Sequence, residues 1–325
     1  MTATPPYAED LVPGVALDPA PEITIDEGVA AHYLAVSGDQ LGPALSSPLS
    51  RELTGRAERL ANPCLVIALS IGQSTVATGR VIANLRYDNL TLERQLHLGE
   101  TLRTVVTPIA AAWTRSGTER AKVLLDMAVT TSHGEPVAHY QRLALLPVAE
   151  PERLVVGTLP EAATALPLSH YRSLVPPTWT TPAGVVSHPL SEGDSWADPL
   201  ADTVSSAREL VRLTQNRAAA HRDARAGIEG KRLVFGGHTV ALAQASLSRF
   251  TSDLLTVLAW RSCDHLSPVF EEDLLTFDLT VDAVESHDRF RIADVTVRVT
   301  ALRPGNDPVA VLRWNPVLLL SGDAS

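Results

Sequence analysis

The sequence predicts an α+β protein built from two copies of one layout, each copy a helix wrapped by an antiparallel sheet, packed as a pseudo-dimer. Three observations predict this fold. Two helix-like segments end in similar polar turns, alternating strand-like runs follow each turn in the same order, and one apolar, alanine-rich segment lies between turn and strands in each copy. A duplicated domain accounts for all three.

The repeat opens with two amphipathic segments, residues 23–39 and 202–216. Each begins with cap-like residues, continues with apolar positions at helical spacing and stops in a polar turn. Aligning the turns pairs Asp39 with Asn216. The candidate caps are Thr24 and Glu27, which have capping-box spacing, and Thr203, Ser205 and Ser206.

Strand-like runs follow in matching order. Alternating apolar and polar residues, entered through an acidic turn at Glu100 or Asp273, predict half-buried strands. The apolar segments between turn and strands suit a helix buried inside a curled sheet, since the second is apolar all round. The predicted strands are 96–114, 121–131 and 139–147 in the first copy and 269–287, 290–302 and 308–320 in the second; the apolar segments are 64–72 and 239–250.

Composition sets the domain organisation. The chain has 325 residues, of which 45% are apolar and 20% charged, enough for a real core. We expect an N-terminal repeat over 1–150, a proline-rich linker or structured arm over 151–195, and a C-terminal repeat over 196–325 that carries the site.

Charge and cysteine content exclude several function classes. The net charge of −10 argues against nucleic acid or an anionic membrane surface as the main partner. No run of eighteen apolar residues predicts a transmembrane span, and the N-terminus does not resemble a signal peptide. Cys64 and Cys263 have no CxxC spacing, so we expect a reducing, cytoplasmic location.

Two short stretches of the second copy carry residues suited to chemistry. Residues 214–223 read TQNRAAAHRD, and residues 232–243 read RLVFGGHTVALA. A histidine near neutral pKa can take and return a proton, and glycines at the start of a helix let a ligand approach backbone N–H groups. A capped bend is the alternative interpretation of the first stretch.

The order of helix, polar turn, buried helix and long antiparallel strands is that of a hot-dog domain, and the second copy resembles the MaoC-like enoyl-CoA hydratases and dehydratases. That family carries a turn of the form SGDxNPxHxD. His221 and Asp223 fall on HxD, Asn216 stands where the family has a catalytic Asp, and Ala218-Ala219 replace Asn-Pro. The QN…HxD turn followed by GGH is similar to the double hot-dog branch typified by mesaconyl-CoA (2-methylfumaryl-CoA) hydratase.

The first copy matches the family turn only through SGD at 37–39. Ala44 stands where the histidine belongs, and Pro63-Cys64 replace the glycines. The resemblance therefore implies that this half does no chemistry and walls the substrate channel. Asp39 is interpreted as a remnant with a capping function.

The resemblance implies a double hot-dog fold and the reversible hydration of an α,β-unsaturated acyl-CoA thioester, such as mesaconyl-CoA to β-methylmalyl-CoA. His221 would move the proton, Asn216 would hold the water, and Asp223 would orient the imidazole, or else only cap a helix. Backbone N–H groups of Gly236 and Gly237 would stabilise the oxyanion. No cofactor is implied, the acyl-CoA substrate is the expected partner, and a homodimer is one possible assembly.

A basic island surrounds the candidate site and suits the phosphates or terminal carboxylate of an acyl-CoA, although a solvated face would have the same composition. Its members are Arg217, Arg222, Arg225, Lys231 and Arg232, against Asp223 and Glu229.

Other functions stay open. They are a general 2-enoyl-CoA hydratase or 3-hydroxyacyl-thioester dehydratase, a hot-dog thioesterase, and a non-catalytic acyl-CoA-binding protein. A thioesterase of this fold typically places an acid on the central helix, and residues 236–252 contain neither Asp nor Glu. His238 is interpreted as a helix cap, and no metal is expected because His97, His133, His139 and His265 lack ligand spacing.

Overall fold

The computed structural model describes residues 4–115, 117–162, 164, 166–183 and 190–322. Positions 163, 165 and 184–189 of the expected linker lie outside the described residues. One antiparallel sheet curls around two central helices, so the predicted α+β fold with two wrapped helices is confirmed.

The two halves contain similar helices and strands in a similar order. The first contains β1 (Ile23–Thr24), α1 (Glu27–Ser37), α2 (Gly42–Leu45), α3 (Ser47–Thr54), α4 (Pro63–Gln73), α5 (Thr75–Thr78), β2 (Ala83–Leu92), β3 (Thr101–Thr114), β4 (Gly117–Thr131) and β5 (Pro136–Pro147). The second contains β6 (Ser195–Ala197), β7 (Asp202–Thr203), α6 (Ala207–Leu213), α7 (Ala219–Arg222), α8 (Gly236–Phe250), β8 (Leu254–His265), β9 (Leu274–His287), β10 (Phe290–Leu302) and β11 (Val309–Ser321). Short 3₁₀ turns cover Ala8–Asp10, Pro151–Arg153, Leu168–Leu174 and Ala224–Ala226.

The sheet runs continuously through both halves in the order β1-β3-β4-β5-β2-β8-β11-β10-β9-β6, and β7 also pairs with β9. The halves join where β2 pairs with β8, with Leu90 opposite Trp260 and Thr91 opposite Ala259. Neither joining strand was predicted. The first seven residues of β8 are all buried, so this strand has no alternation for a sequence pattern to detect.

The helix caps differ from those predicted. Asp26 caps α1, because its carboxylate accepts a hydrogen bond from the Val29 N–H at 2.8 Å. Thr24 belongs to β1 and Glu27 is already helical, so the predicted capping box is wrong. Ser206 precedes α6 but makes no side-chain capping bond.

The two central helices, α4 and α8, fill the core. Every residue of α4 is buried, as is α8 from Gly237 to Leu247. Gly72 lies so close to the turn after α6 that a Cβ added there would stand 1.9 Å from the Thr214 carbonyl oxygen. Only glycine permits this approach of a first-half helix to a second-half turn.

Each polar turn is also held by the other half. In the second half, the Arg217 N–H donates to Thr75 Oγ1 at 2.7 Å, and the Ala219 N–H donates to the Gly79 carbonyl at 3.0 Å. In the first half, the Asp39 carboxylate accepts from Gln244 and from the Ser248 hydroxyl, both on α8. The turns therefore bind the halves together.

In the part of the chain that the structure describes, no helix is both long and apolar enough to traverse a lipid bilayer.

Replacing Gly72 with alanine tests this contact between the halves. Because the added Cβ meets a backbone oxygen, Gly72→Ala should lower the free energy of unfolding by about 3 kcal/mol. Gly28→Ala is the matched helical control, since its Cβ would meet only the Asp26 carboxylate, at 3.2 Å, and it should change stability by less than about 1 kcal/mol. Urea unfolding followed by circular dichroism measures both; equal stabilities would contradict the proposed close packing.

Candidate active site

A cavity of about 270 Å³ lies between the halves at the start of α8. Residues from both halves form its walls, and apolar side chains dominate them. The polar side chains on its walls come from Thr75, Asn84, Tyr87, Arg142, Asn216, His221, Thr239, His265 and Ser267.

His221 lines this cavity from α7. Its Nδ1 lies 2.9 Å from the Leu233 carbonyl oxygen. A carbonyl oxygen only accepts hydrogen bonds, so Nδ1 carries the proton and Nε2 keeps its lone pair. Burial lowers the pKa of His221 to about 4, partly offset by the Leu233 hydrogen bond and assisted by Arg142. The imidazole is therefore neutral near pH 7 and can accept a proton at Nε2.

Asn216 lies on the same wall, 1% exposed. Its side-chain oxygen accepts from the Ala218 N–H at 2.9 Å, which fixes the amide. Its Nδ2 is buried and has no partner among the described residues. An unpaired donor on a residue that lines a cavity is suited to holding a water or a substrate oxygen.

The structure does not bring Asp223 to His221. Its carboxylate instead accepts from the Arg225 N–H at 2.9 Å and from the Arg225 guanidinium at 2.7 Å. These hydrogen bonds lower the pKa of Asp223 to about 2. Asp223 thus caps the turn at 224–226, and the Leu233 carbonyl is the group that orients the imidazole.

Gly236 and Gly237 open α8, as the sequence suggested. Gly236 lines the cavity, and a Cβ added to it would stand 2.6 Å from His265 Nε2. A Cβ on Gly237 would stand 2.6 Å from the Phe235 ring. The residue before the helix, Phe235, provides no side-chain cap, so the first N–H groups of α8 are not bonded by a capping side chain.

The start of α4, in the first half, is closed by contrast. Asn62 caps it by accepting from the N–H groups of Cys64 and Leu65, at 2.9 and 3.3 Å. Pro63 has no N–H to offer. The helix end that is open in the second half is thus occupied in the first.

His265 is a cavity residue that sequence reasoning missed. It ends β8, a strand that was not predicted, and its imidazole packs against Gly236. Burial lowers the pKa of His265 to about 4, and repulsion from Arg142, and from His221 when that ring is protonated, lowers it further. A neutral imidazole therefore faces the glycine end of the helix.

Arg142 was missed as well. It lies on β5 of the first half, 4% exposed, and lines the same cavity. The strand run HYQRLALLP contained a signal, because Tyr140, Arg142 and Ala144 alternate on one buried face. A charge at an inward-facing strand position is rare unless it is paired.

Most side chains of the basic island already have hydrogen-bond or ion-pair partners within the protein. Arg222 donates to the Asn216 carbonyl at 2.8 Å, Arg225 pairs with Asp223, and Arg232 pairs with Glu271 at 2.6 Å. Arg217 is exposed, and Lys231 lies over the Phe270 ring at 5.5 Å. None of the five lines the cavity within the described residues.

His238 is not the helix cap that its position suggested. Its ring is fully buried and, among the described residues, neither ring nitrogen has a hydrogen-bond partner. Burial lowers the pKa of His238 to about 4. No group of three or more potential metal ligands occurs in the residues that the structure covers.

Comparison with known proteins shows which family the chain belongs to. No family model matches the chain. A conserved hypothetical protein of Mycobacterium tuberculosis with a double hot-dog fold is 33% identical, covers 97% of this chain and 98% of its own, and superposes with a TM-score of 0.79. A MaoC domain protein of Chloroflexus aurantiacus, 22% identical, superposes over 98% of both chains with a TM-score of 0.88. The chain belongs to the double hot-dog family of the mycobacterial protein, and it shares its fold with the MaoC domain protein.

Two curated relatives of this double hot-dog protein have named activities. A β-methylmalyl-CoA dehydratase of Chloroflexus aurantiacus is 24% identical over 287 residues, which cover 83% of this chain and 80% of that protein. A mesaconyl-CoA hydratase of Cereibacter sphaeroides is 28% identical over 109 residues, 33% of this chain and 32% of that protein. The names describe opposite directions of one reaction.

Three histidines, one buried and two half-buried, make the stability of the fold depend on pH. His221, His238 and His265 have pKa values near 4 in the folded protein, below the ordinary value of 6.5. The unfolded chain therefore binds more protons between these values, and stability should fall as pH falls from about 6.5 to about 4. His238→Leu should reduce this fall, whereas His133→Gln, at an exposed position, should not. Melting temperatures between pH 7.5 and 4.5 test this, and parallel curves for wild type and His238→Leu would contradict it.

Proposed function

We propose that this protein is a cofactor-independent hydro-lyase that adds water reversibly to the double bond of an α,β-unsaturated acyl-CoA thioester. The observation that carries the proposal is a neutral imidazole, proton-free at Nε2, in the same cavity as the uncapped glycine start of α8. A base and an oxyanion site are the two components that this reaction requires.

In the proposed mechanism His221 Nε2 accepts a proton from water as the oxygen attacks the β-carbon. Negative charge then develops on the thioester oxygen, which the N–H groups of Gly236 and Gly237 stabilise at the positive end of the helix dipole. The imidazolium returns the proton to the α-carbon. Asn216 Nδ2 donates to the water and holds it in line with the double bond.

The substrate pair that we propose is mesaconyl-CoA and β-methylmalyl-CoA, supported by the two curated relatives. The acyl group would occupy the cavity and the CoA arm would leave past Ile228 and Leu266, which line it and are 41% and 53% exposed. The backbone of Lys231 forms an isolated antiparallel β-bridge with Ile228, so Lys231 lies beside this opening. Lys231 and Arg217 are the two cations of the basic island that make neither an ion pair nor a side-chain hydrogen bond with the described residues, so we assign them to the CoA phosphates.

The thioesterase alternative lacks its usual acid. No Asp or Glu of the described residues lines the cavity, and α8 contains none. A non-catalytic acyl-CoA-binding protein would not need a base held in one tautomer. Both alternatives are separated from hydration by the assay that follows.

The role of His221 is tested with mesaconyl-CoA by following enoyl-thioester absorbance together with free thiol. Wild type should lose absorbance without releasing thiol, and His221→Ala should lower kcat by about 10²- to 10⁴-fold. His133→Ala, outside the cavity and exposed, is the control and should retain full activity. Thiol release would indicate a thioesterase; full activity of His221→Ala would refute the assigned base.

Gly236→Ala tests the oxyanion site. Its Cβ would overlap the His265 imidazole and block the approach of the thioester to the helix start. We expect kcat to fall by about 100-fold, comparable to the loss of an oxyanion donor. The double variant Gly236→Ala/His265→Ala separates the two causes, because removing the ring relieves the overlap while leaving the Cβ in the thioester's path. Wild-type activity of Gly236→Ala would rule out this site for the oxyanion.

A further inference from the structure

The charges around the cavity are not balanced. Arg142 is the one permanently charged side chain among the described residues that line it, and no carboxylate lines it. His221 and His265 are neutral at neutral pH because burial lowers the pKa of each to about 4. A chain of net charge −10 thus encloses a cavity that carries a single positive charge.

Arg142 is held rigidly by neutral partners. Its Nε donates to Asn84 Oδ1 at 2.6 Å, and its Nη1 donates to Ser74 Oγ at 3.0 Å and to Thr78 Oγ1 at 3.3 Å. Within the described residues, no acidic group forms an ion pair with Arg142, and Nη2 has no hydrogen-bond partner. The guanidinium is therefore positioned but not neutralised.

Burial of an uncompensated cation is costly to a folded protein. The other arginines that are mostly buried do have acidic partners: Arg291 pairs with Asp253 at 2.9 Å, and Arg249 pairs with Asp198 at 2.6 Å. Arg142 differs from them in facing a cavity. A ligand that brought its own anion would supply the missing partner.

We propose that Arg142 binds the free carboxylate of a dicarboxylic acyl-CoA and thereby selects this substrate class over monocarboxylic enoyl thioesters. The reaction in this inference rests on the proposed function, whereas the binding of a carboxylate by Arg142 does not. Arg142 also replaces the basic island as the expected site of the terminal carboxylate, because Arg222, Arg225 and Arg232 already have partners.

The chemistry of the substrate makes this position useful. In 2-methylfumaryl-CoA the β-carbon, which takes the hydroxyl group, also carries the free carboxylate. Because Nε and Nη1 already have partners, Nη2 is the group that would donate to this carboxylate. That charge-assisted contact fixes the position of the β-carbon relative to His221. Water adds as a hydroxyl to the β-carbon and a proton to the α-carbon, so no other reactant is needed.

Binding of saturated thioesters tests Arg142 separately from catalysis. 2-Methylsuccinyl-CoA and 2-methylbutyryl-CoA cannot be hydrated, and they differ only by a carboxylate in place of a methyl group. Calorimetric Kd values should show wild type binding the first about 100-fold more tightly than the second, because a site built around a polar partner rejects the analogue lacking it. Arg142→Gln should lose most of this ratio, and Arg142→Lys should retain part of it.

Two further variants guard against misfolding and nonspecific charge effects. Asn84→Asp places a carboxylate beside Arg142 Nε without removing the arginine, so it should abolish the preference while keeping the melting temperature at least as high as in wild type. Arg172→Gln removes an exposed arginine that pairs with Glu285, and the preference should persist.

The outcomes distinguish this inference from the proposed function. A wild-type protein that binds both thioesters equally, or an Arg142→Gln or Asn84→Asp variant that folds and keeps the preference, would overturn the assignment of Arg142. A wild-type protein that prefers the carboxylate but does not hydrate mesaconyl-CoA would support the carboxylate site and reject the hydratase.

Discussion

The reciprocal docking of each half's polar turn on the other half is the interaction on which the rest of this structure depends. The turn at Asp39 is bonded to α8, and the turn at Asn216 is bonded to the segment around Thr75 that follows α4. Buried polar groups must find partners, and here the partners lie in the opposite half. The position of His221 is thus set partly by first-half residues, which explains why a half that lacks the base is still needed.

The turns at Asp39 and Asn216 occupy matching positions in the two halves but differ in their hydrogen bonding. Asp39 spends its carboxylate on four donors, from Leu41, Asn62, Gln244 and Ser248, and is buried without a free oxygen. Asn216 occupies the matching position, lines the cavity and retains an unpaired Nδ2 among the described residues. The exchange is consistent at the helix ends too, since Asn62 closes the start of α4 while the start of α8 is uncapped. The turn at Asp39 is thus fully hydrogen-bonded, whereas the turn at Asn216 keeps an unpaired donor among the described residues.

The electrostatic character of the cavity follows from the absence of carboxylates among its described lining residues. Burial lowers the pKa values of His221 and His265, and no lining carboxylate among the described residues offsets this effect. The same absence leaves Arg142 without a counterion. The neutral base, His221, and the unpaired cation, Arg142, therefore both reflect a cavity wall without carboxylates among the described residues. Together they suit an anionic, unsaturated substrate that arrives with its own carboxylate.

The sequence by itself determined the elements whose signals are local. Helical periodicity located α1 and α6, and alternation located most long strands. These elements depend on residues within about a turn or a strand of each other, which is the range over which hydrophobic periodicity is expressed. Fully buried strands such as β8 carry no such signal. The turn with Asn216 and His221 and the glycine start of α8, which meet at the cavity, were found through the resemblance of their residues to a known family.

Only the tertiary structure decided which side chains share the cavity. Arg142 and His265 reach it from two strands that are adjacent to the β2–β8 junction or part of it, far from the 213–224 turn in sequence. Likewise, the choice of the Leu233 carbonyl over Asp223 as the partner of His221 depends on how the chain folds back after α7. Contacts between distant segments follow from strand pairing and core packing, and no local pattern encodes them.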